Sequence, residues 1–343
     1  MRIGVVGGGL AGALLAWRLR QAGDRVRVEV LAGRRAAPDA SAVSGGLVRG
    51  FERDPAAAAL AADSLAEVRG DARLREWAGY REIGSLYVLP GGVDPAGSVR
   101  VLQERLPGSA AVVGPAELRR RFGLRDPADD SVGVVERHAG HLSPARLRDS
   151  ALAWAAAHGV GVVPVDVAPV RGGPEVRTSD GARRRYDALV VAAGAWTPRL
   201  VGHGGALRTK QIQYGVHRVD LPGLGVFVDD DTGLYGRPWD GGGFLLGLGC
   251  DRWDVAPEEV RPDPALVDRV AVAVRRRFGV VVGGPPERVV ASSDCYRDPA
   301  GLRLLPVAGW PGVHTFTGGS GGAAKTAVAA SRVAAGELLT TLR

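Results

Sequence analysis

Arg2-Ile3-Gly4-Val5-Val6-Gly7-Gly8-Gly9-Leu10-Ala11-Gly12 decides how the rest of the chain is read. Its first residues make a short apolar strand. Gly7, Gly9 and Gly12 then fall in the spacing G-x-G-x-x-G, and a helical pattern follows from Ala13 to about Ala22. In that spacing the first glycine permits a tight turn. The second lets a pyrophosphate approach the backbone, and the third lets helix and strand pack closely. The helix N-terminus adds unpaired N–H groups and a partial positive charge. A second strand, Arg25 to Leu31, completes the unit, so a dinucleotide is expected here, with Leu10 and Ala11 beside it. An acid at the end of the second strand holds a ribose hydroxyl in this arrangement. Its place falls at Ala32, and Glu29 is the nearby carboxylate: it either does that work from a shorter strand or faces solvent. Arg34 and Arg35 follow, placed to reach a phosphate, stack on adenine or sit in a solvated turn.

Working outward, Asp39 to Gly50 is small and glycine-rich, suited to lie against a flat ligand, with Arg49 as its one charge. Pro55 to Arg69 reads as a helix and Gly84 to Pro90 as a strand. Ser143 and Pro144 take the N-cap and N1 places of a helix that Gly159 stops. Val160 to Val170 reads as a strand. Tyr186 to Trp196 is a largely apolar strand running into Gly194, as in a parallel strand buried on both faces. From Gln211 to Gly249, short alternating strands broken by turn residues predict an antiparallel sheet. A helix over Pro264 to Phe278 and a glycine-rich tail, Phe316 to Lys325, complete the chain, the tail running into an alanine-rich helix to about Leu339. The fold class expected is α/β: a three-part Rossmann-like domain (1–75, 140–205 and 288–343) with an inserted, mostly antiparallel β-sheet substrate or cap domain (76–139 and 206–287).

Composition narrows the function classes. A chain of 343 residues, 45% hydrophobic, can bury a real core, and no apolar run approaches the ~18 residues of a membrane span. A folding strand at residue 2 argues against a signal peptide. Two cysteines, Cys250 and Cys295, make no disulfide framework and point to a reducing cytoplasm. The net charge of +7 comes from scattered arginines, because only Lys210 and Lys325 among 44 basic residues are lysine. Short arginine runs without interleaved aromatics argue against a nucleic-acid partner. The six histidines stand in no metal-ligand spacing, so no metal is assigned.

Four blocks together resemble the D-amino-acid oxidase family of flavoproteins, nearest its sarcosine-oxidase-like amine oxidase branch. They are the N-terminal glycine motif, Gly45 to Pro55 with Arg49, Val190 to Pro198, and Cys295-Tyr296 followed by Gly318 to Lys325. The resemblance implies FAD, with Ser44, Gly45, Gly46, Leu47, Val167, Ala193, Gly194, Trp196, Gly319, Ser320, Gly321 and Gly322 around it. It matches Arg49 and Lys325 to a cationic pair that holds a substrate carboxylate, and Tyr235 to a tyrosine lining the substrate pocket. A guanidinium fork and an ammonium suit one carboxylate well. Cys295 matches a cysteine that carries FAD through a thioether; the alternative is a buried, inert thiol. The family's lysine that promotes reaction with oxygen falls on Leu245 or Leu246, and its nearby histidine on Gly249. Lys210, on a neighbouring strand, is the one candidate substitute. The implied activity is oxidation of the C–N bond of a small secondary or cyclic amine bearing a carboxylate, with O2 or another acceptor reoxidising the enzyme. The alternative is a flavin dehydrogenase or tailoring enzyme of secondary metabolism that reacts poorly with O2.

Overall fold

The structure, a computed structural model, describes residues 1–33, 39–202 and 207–342. Arg34 therefore lies outside the described residues.

The glycine-motif strand, Arg2–Val6, sits in the middle of a six-stranded sheet, between Arg27–Leu31 and Ala188–Val191. Gly161–Val163 closes one side; Val313–Thr317 and then Arg303–Pro306 close the other. All pairings are parallel except the last. The apolar runs divide cleanly between the two faces. Ile3, Val5, Val28, Val30, Ala188 and Val190 point into a core shared with three helices, Leu10–Gln21, Pro144–Ala157 and Ala323–Thr341. Val6, Leu31, Leu189 and Val191 point the other way, into a core with Val176 and Tyr186 around the hairpin Glu175–Arg177 and Arg183–Arg185. Period-two side chains buried on both sides explain why these strands read as continuous apolar runs.

The helix over Pro144–Ala157 begins as its sequence dictates: the Ser143 hydroxyl accepts from Arg146 N–H at 3.3 Å, with proline at N1. The strand expected over Val160 to Val170 is shorter. Only Gly161–Val163 pairs; Pro164 ends it, because proline has no N–H for the ladder. The chain then bends until Val167 bridges Thr178.

The second sheet has eight strands, in the order Arg288–Arg297, Leu207–His217, Phe244–Gly247, Leu234–Pro238, Val226–Asp229, Ser85–Leu89, Val132–Glu136 and Ala110–Val113. Only Val226–Asp229 against Ser85–Leu89 is parallel. One face packs Leu86, Phe227 and Leu246 against Leu118, Val270 and Val274 of the helices Pro115–Phe122 and Pro264–Phe278. Arg288–Arg297, grouped above with the 288–343 piece, belongs to this larger sheet by pairing. It runs beside Leu207–His217 from Leu207↔Arg297 to Val216↔Arg288. Its mixed sequence, Arg-Val-Val-Ala-Ser-Ser-Asp-Cys-Tyr-Arg, carries no sign of which sheet receives it. A small three-stranded sheet, Leu47–Val48, Gly140–His141 and Arg81–Glu82, joins the two halves of the chain beside the site.

Candidate active site

One large cavity, of about 560 Å³, separates the two sheets and collects almost every residue singled out in the sequence. Its walls include Gly7, Gly9, Leu10 and Ala11 from the first turn, and Ser44, Gly45, Gly46, Leu47 and Arg49 from the glycine-rich loop. Val167, Ala193, Gly194 and Trp196 line it from the first sheet's edge, Tyr235 and Cys295 from the second sheet. Gly319, Ser320, Gly321, Gly322 and Lys325 close it. The N-terminal ends of the first and last helices thus open on the same space.

The cradle fits a dinucleotide. Gly7 has φ +112°, and a Cβ there would overlap the backbone of Ala192. Gly12 does not touch the cavity. A Cβ on it would overlap the Gly7 carbonyl oxygen, so its absence lets helix and turn close up. The first helix has no acid in its first turn. Sequence reading missed Ser41, whose hydroxyl accepts the Leu10 N–H at 2.9 Å and ties the glycine-rich loop to the first turn.

Glu29 does neither of the things expected of it. It accepts from the Tyr186 hydroxyl and pairs with Arg184 at 3.2 Å, away from the cavity. The reason is parity: Glu29 lies between Val28 and Val30, which face the helix core, so it shares the opposite face with Tyr186. At the expected position the cavity is lined by Ala32 and Gly33 instead.

Arg49 and Lys325 do come together, around an acid the sequence reading overlooked. Glu52 Oε1 lies 2.9 Å from Arg49 Nη2 and 2.6 Å from Lys325 Nζ. The Arg49 guanidinium also lies over the Tyr87 ring, 4.9 Å from its centroid. Burial pushes the Glu52 carboxyl up, but Arg49 and Lys325 outweigh it and hold the group below the ordinary range. Burial and the neighbouring Arg49 both push the Lys325 ammonium down, and Glu52 only partly offsets them. The loop itself is anchored by a second missed acid. Glu136, fully buried, accepts from Gly50 N–H at 2.7 Å, Phe51 N–H at 3.1 Å and the Ser85 hydroxyl at 3.3 Å. An acid ending the apolar strand Val-Gly-Val-Val-Glu was its one visible signal.

Tyr235 lines the cavity but its hydroxyl is committed, donating to the Gln213 carbonyl at 3.0 Å. Cys295 is buried; burial pushes its thiol up, while Thr317, Arg297 and the Gly318 backbone pull the other way. Leu245 and Leu246 are fully buried. Lys210 lines the cavity, its ammonium 4.6 Å from the Trp253 ring and 5.7 Å from the Tyr296 ring centroid.

The family model described as DAO, FAD dependent oxidoreductase, matches residues 2–336. The chain belongs to that family. It is an FAD-dependent oxidoreductase. Among solved structures it is similar to L-proline dehydrogenase from P. horikoshii, at 16% identity and a TM-score of 0.81, over 99% of this chain and 93% of that one. It is also similar to glycine oxidase from Bacillus cereus, at 17% identity and a TM-score of 0.74, over 99% and 95%. Iminodiacetate oxidase from Chelativorans sp. BNC1 follows at 19% and 0.68, over 99% and 95%. Likeness at this identity shows the shared fold. No curated protein matches the chain in sequence. Among the described residues, no helix is long and apolar enough to cross a membrane.

Proposed function

We propose that this enzyme oxidises the C–N bond of a small amine bearing a carboxylate, in the manner of the sarcosine-oxidase-like branch. The observation that carries this reading is the sharing of one carboxylate oxygen by Arg49 and Lys325 at the cavity wall. Two buried cations already arranged around a carboxylate are a receptor for another. The structural neighbours named for proline, glycine and iminodiacetate oxidation point the same way, since each of those molecules is an amine carrying a carboxylate.

In this proposal FAD, when bound, supplies the two-electron oxidation. The chain's own groups do the rest. Gly7 to Ala11 hold the dinucleotide, Ser44 to Leu47 and Gly319 to Gly322 flank it, and Arg49 with Lys325 fix the substrate carboxylate. Tyr235 forms the opposite wall. Cys295, on the cavity wall, is the point of covalent attachment. Acid precipitation checks it: colour stays with the protein pellet and passes to the supernatant in Cys295→Ser. The division into an FAD-binding part and a substrate-covering part belongs to the same proposal, with the boundary after residue 288 moved beyond Arg297.

The decisive test of the clamp is Arg49→Met and Lys325→Met. Each variant should keep its yellow colour while KM for the amine rises by about a hundredfold, the loss of one charged hydrogen-bonding partner. Unchanged turnover in both variants refutes the clamp; loss of colour assigns the pair to the cofactor instead. Reoxidation by O2 completes the proposed cycle. A second reading is a dehydrogenase slow with O2, and the apolar Leu245 and Leu246 favour it. Mixing the reduced protein with air distinguishes them, because only the second needs an artificial acceptor.

A further inference from the structure

Asp294 is a buried acid that none of these roles uses. It lies on the strand Arg288–Arg297 and is only 6% exposed, and it lines the cavity. Among the described residues it has neither a hydrogen-bond nor an ion-pair partner. Such isolation is expensive for a carboxyl group removed from water, and it invites a ligand that donates.

Its surroundings restrict what that ligand is. On its own strand, Cys295 and Tyr296 follow it, and both feel its charge. From the neighbouring strand, Lys210 is its register partner. Yet the ammonium is drawn over the Trp253 and Tyr296 rings and makes no ion pair with it. Farther across the same sheet, the Tyr235 hydroxyl feels the Asp294 charge but donates to Gln213. From the closing element, Gly321 faces it: a Cβ there would stand 3.6 Å from Asp294 Oδ2 and 3.9 Å from the Tyr296 hydroxyl. Four residues further along is Lys325. The cavity therefore presents two cations around a carboxylate at one place and a free carboxyl at another, both bordering the start of the last helix. An amine carrying a carboxylate has the complementary pair of charges. Burial alone pushes the Asp294 carboxyl up to about 7, so near neutral pH it exchanges a proton with little bias.

We infer that Asp294 receives the substrate's amine and takes its proton. One N–H bond of the ammonium breaks, one O–H bond forms on Asp294, and the nitrogen lone pair stays on the substrate. A separated pair of charges becomes two neutral groups, and the proton returns to solvent when the product leaves. The neutral amine is the form that oxidation requires. The inference rests on the C–N oxidation reading above and adds the base which that reading lacks.

The test uses the intact FAD-loaded enzyme. Whichever of glycine, proline and iminodiacetate bleaches the oxidised protein serves as probe. Its isostere with oxygen in place of nitrogen, namely glycolate, tetrahydrofuran-2-carboxylate or diglycolate, is the control. Both are titrated into dithionite-reduced enzyme without air, where no turnover occurs, and binding is followed calorimetrically between about pH 6 and 8. The amine should bind about tenfold more tightly as the pH rises through an inflection near 7, while its oxygen isostere gains nothing. Asp294→Asn should flatten the amine's profile and remove the corresponding limb from the pH dependence of kcat/KM. An inflection missing from the wild-type amine titration overturns the assignment, whether or not the variant folds. An inflection in the flavin spectrum of the ligand-free protein, with amine binding flat, also overturns it by placing Asp294 against the cofactor. If none of the three amines bleaches the protein, the C–N oxidation reading fails and takes this inference with it.

Discussion

Glu52→Gln removes the negative charge that Arg49 and Lys325 share while preserving the shape of the side chain. Glu52 Oε1 stands 2.6 Å from Lys325 Nζ and 2.9 Å from Arg49 Nη2. The exposures of the three side chains are 19%, 12% and 9% for Glu52, Lys325 and Arg49. At an effective dielectric of about 20, each contact corresponds to roughly 6 kcal/mol of Coulomb attraction before desolvation is counted. Desolvation cancels much of that, and breaking a buried pair by removing one partner costs about 3–5 kcal/mol. The variant is left with two buried cations facing each other. Lys325, already held below its ordinary range, loses the carboxylate it pairs with at 2.6 Å and tends to shed its proton. We expect the ligand-free holoprotein to be less stable by about 3 kcal/mol at neutral pH.

The sign with pH follows from the depressed Glu52 value. A carboxyl lowered on folding stabilises above its unfolded pKa, and that contribution is lost as the pH falls through the folded value. The gap between wild type and Glu52→Gln should therefore be full at neutral pH and close in acid. A carboxylate ligand should narrow it, because the ligand replaces the missing anion, and should bind the variant about tenfold more tightly than wild type. Thermal unfolding, followed by flavin fluorescence with and without glycolate, reads all of these. Equal melting of the two proteins at neutral pH, with unchanged glycolate affinity, would refute the shared-carboxylate reasoning.

Three further outcomes are expected. Gly12→Ala forces a Cβ into the Gly7 carbonyl; overpacking of about 1–3 kcal/mol should weaken FAD binding by roughly 5- to 150-fold, measured in the Cys295→Ser background by reconstituting stripped protein, and undiminished FAD affinity there contradicts the turn's proposed role. Asp294 is raised to about 7 on folding, so the stability it contributes is present below the unfolded carboxyl pKa and is lost as the pH rises through 7. Asp294→Asn should accordingly raise the melting temperature at mildly alkaline pH and leave it nearly unchanged in acid; a uniform shift at both pH values would argue against a titrating carboxyl. Lys210→Met removes the cavity ammonium that lies 5.7 Å from the Tyr296 ring centroid; stopped-flow mixing of reduced enzyme with aerated buffer should show reoxidation slowed about tenfold or more, and an unchanged rate leaves Lys210 with no part in oxygen chemistry.

Much of the fold was legible in one dimension because its signals are local. The glycine spacing after Arg2–Val6, the run through Val190 to the turn at Gly194, and the proline-started helices at Pro144 and Pro264 depend on neighbours within a few residues. That Arg49 and Lys325 share one cavity was legible as well, since their motifs carry the resemblance. Boundaries failed where a local break or a distant partner decided them. Pro164 cut the strand expected to reach Val170, and pairing with Leu207–His217 moved Arg288–Arg297 into the second sheet.

By itself, then, the sequence determined the parallel sheet built on the glycine turn, because period-two apolar runs and glycines of fixed spacing admit few alternatives. Tertiary structure alone decided which acids matter. Glu29 was drawn away by Tyr186 and Arg184 across a sheet face, whereas Glu52 was delivered to a lysine far along the chain. Glu136 was spent anchoring the Arg49 loop, and Asp294 was left, among the described residues, without a hydrogen-bond or ion-pair partner. A carboxylate's role is set by burial and by the charges that reach it through space, and neither quantity is a property of its neighbours along the chain.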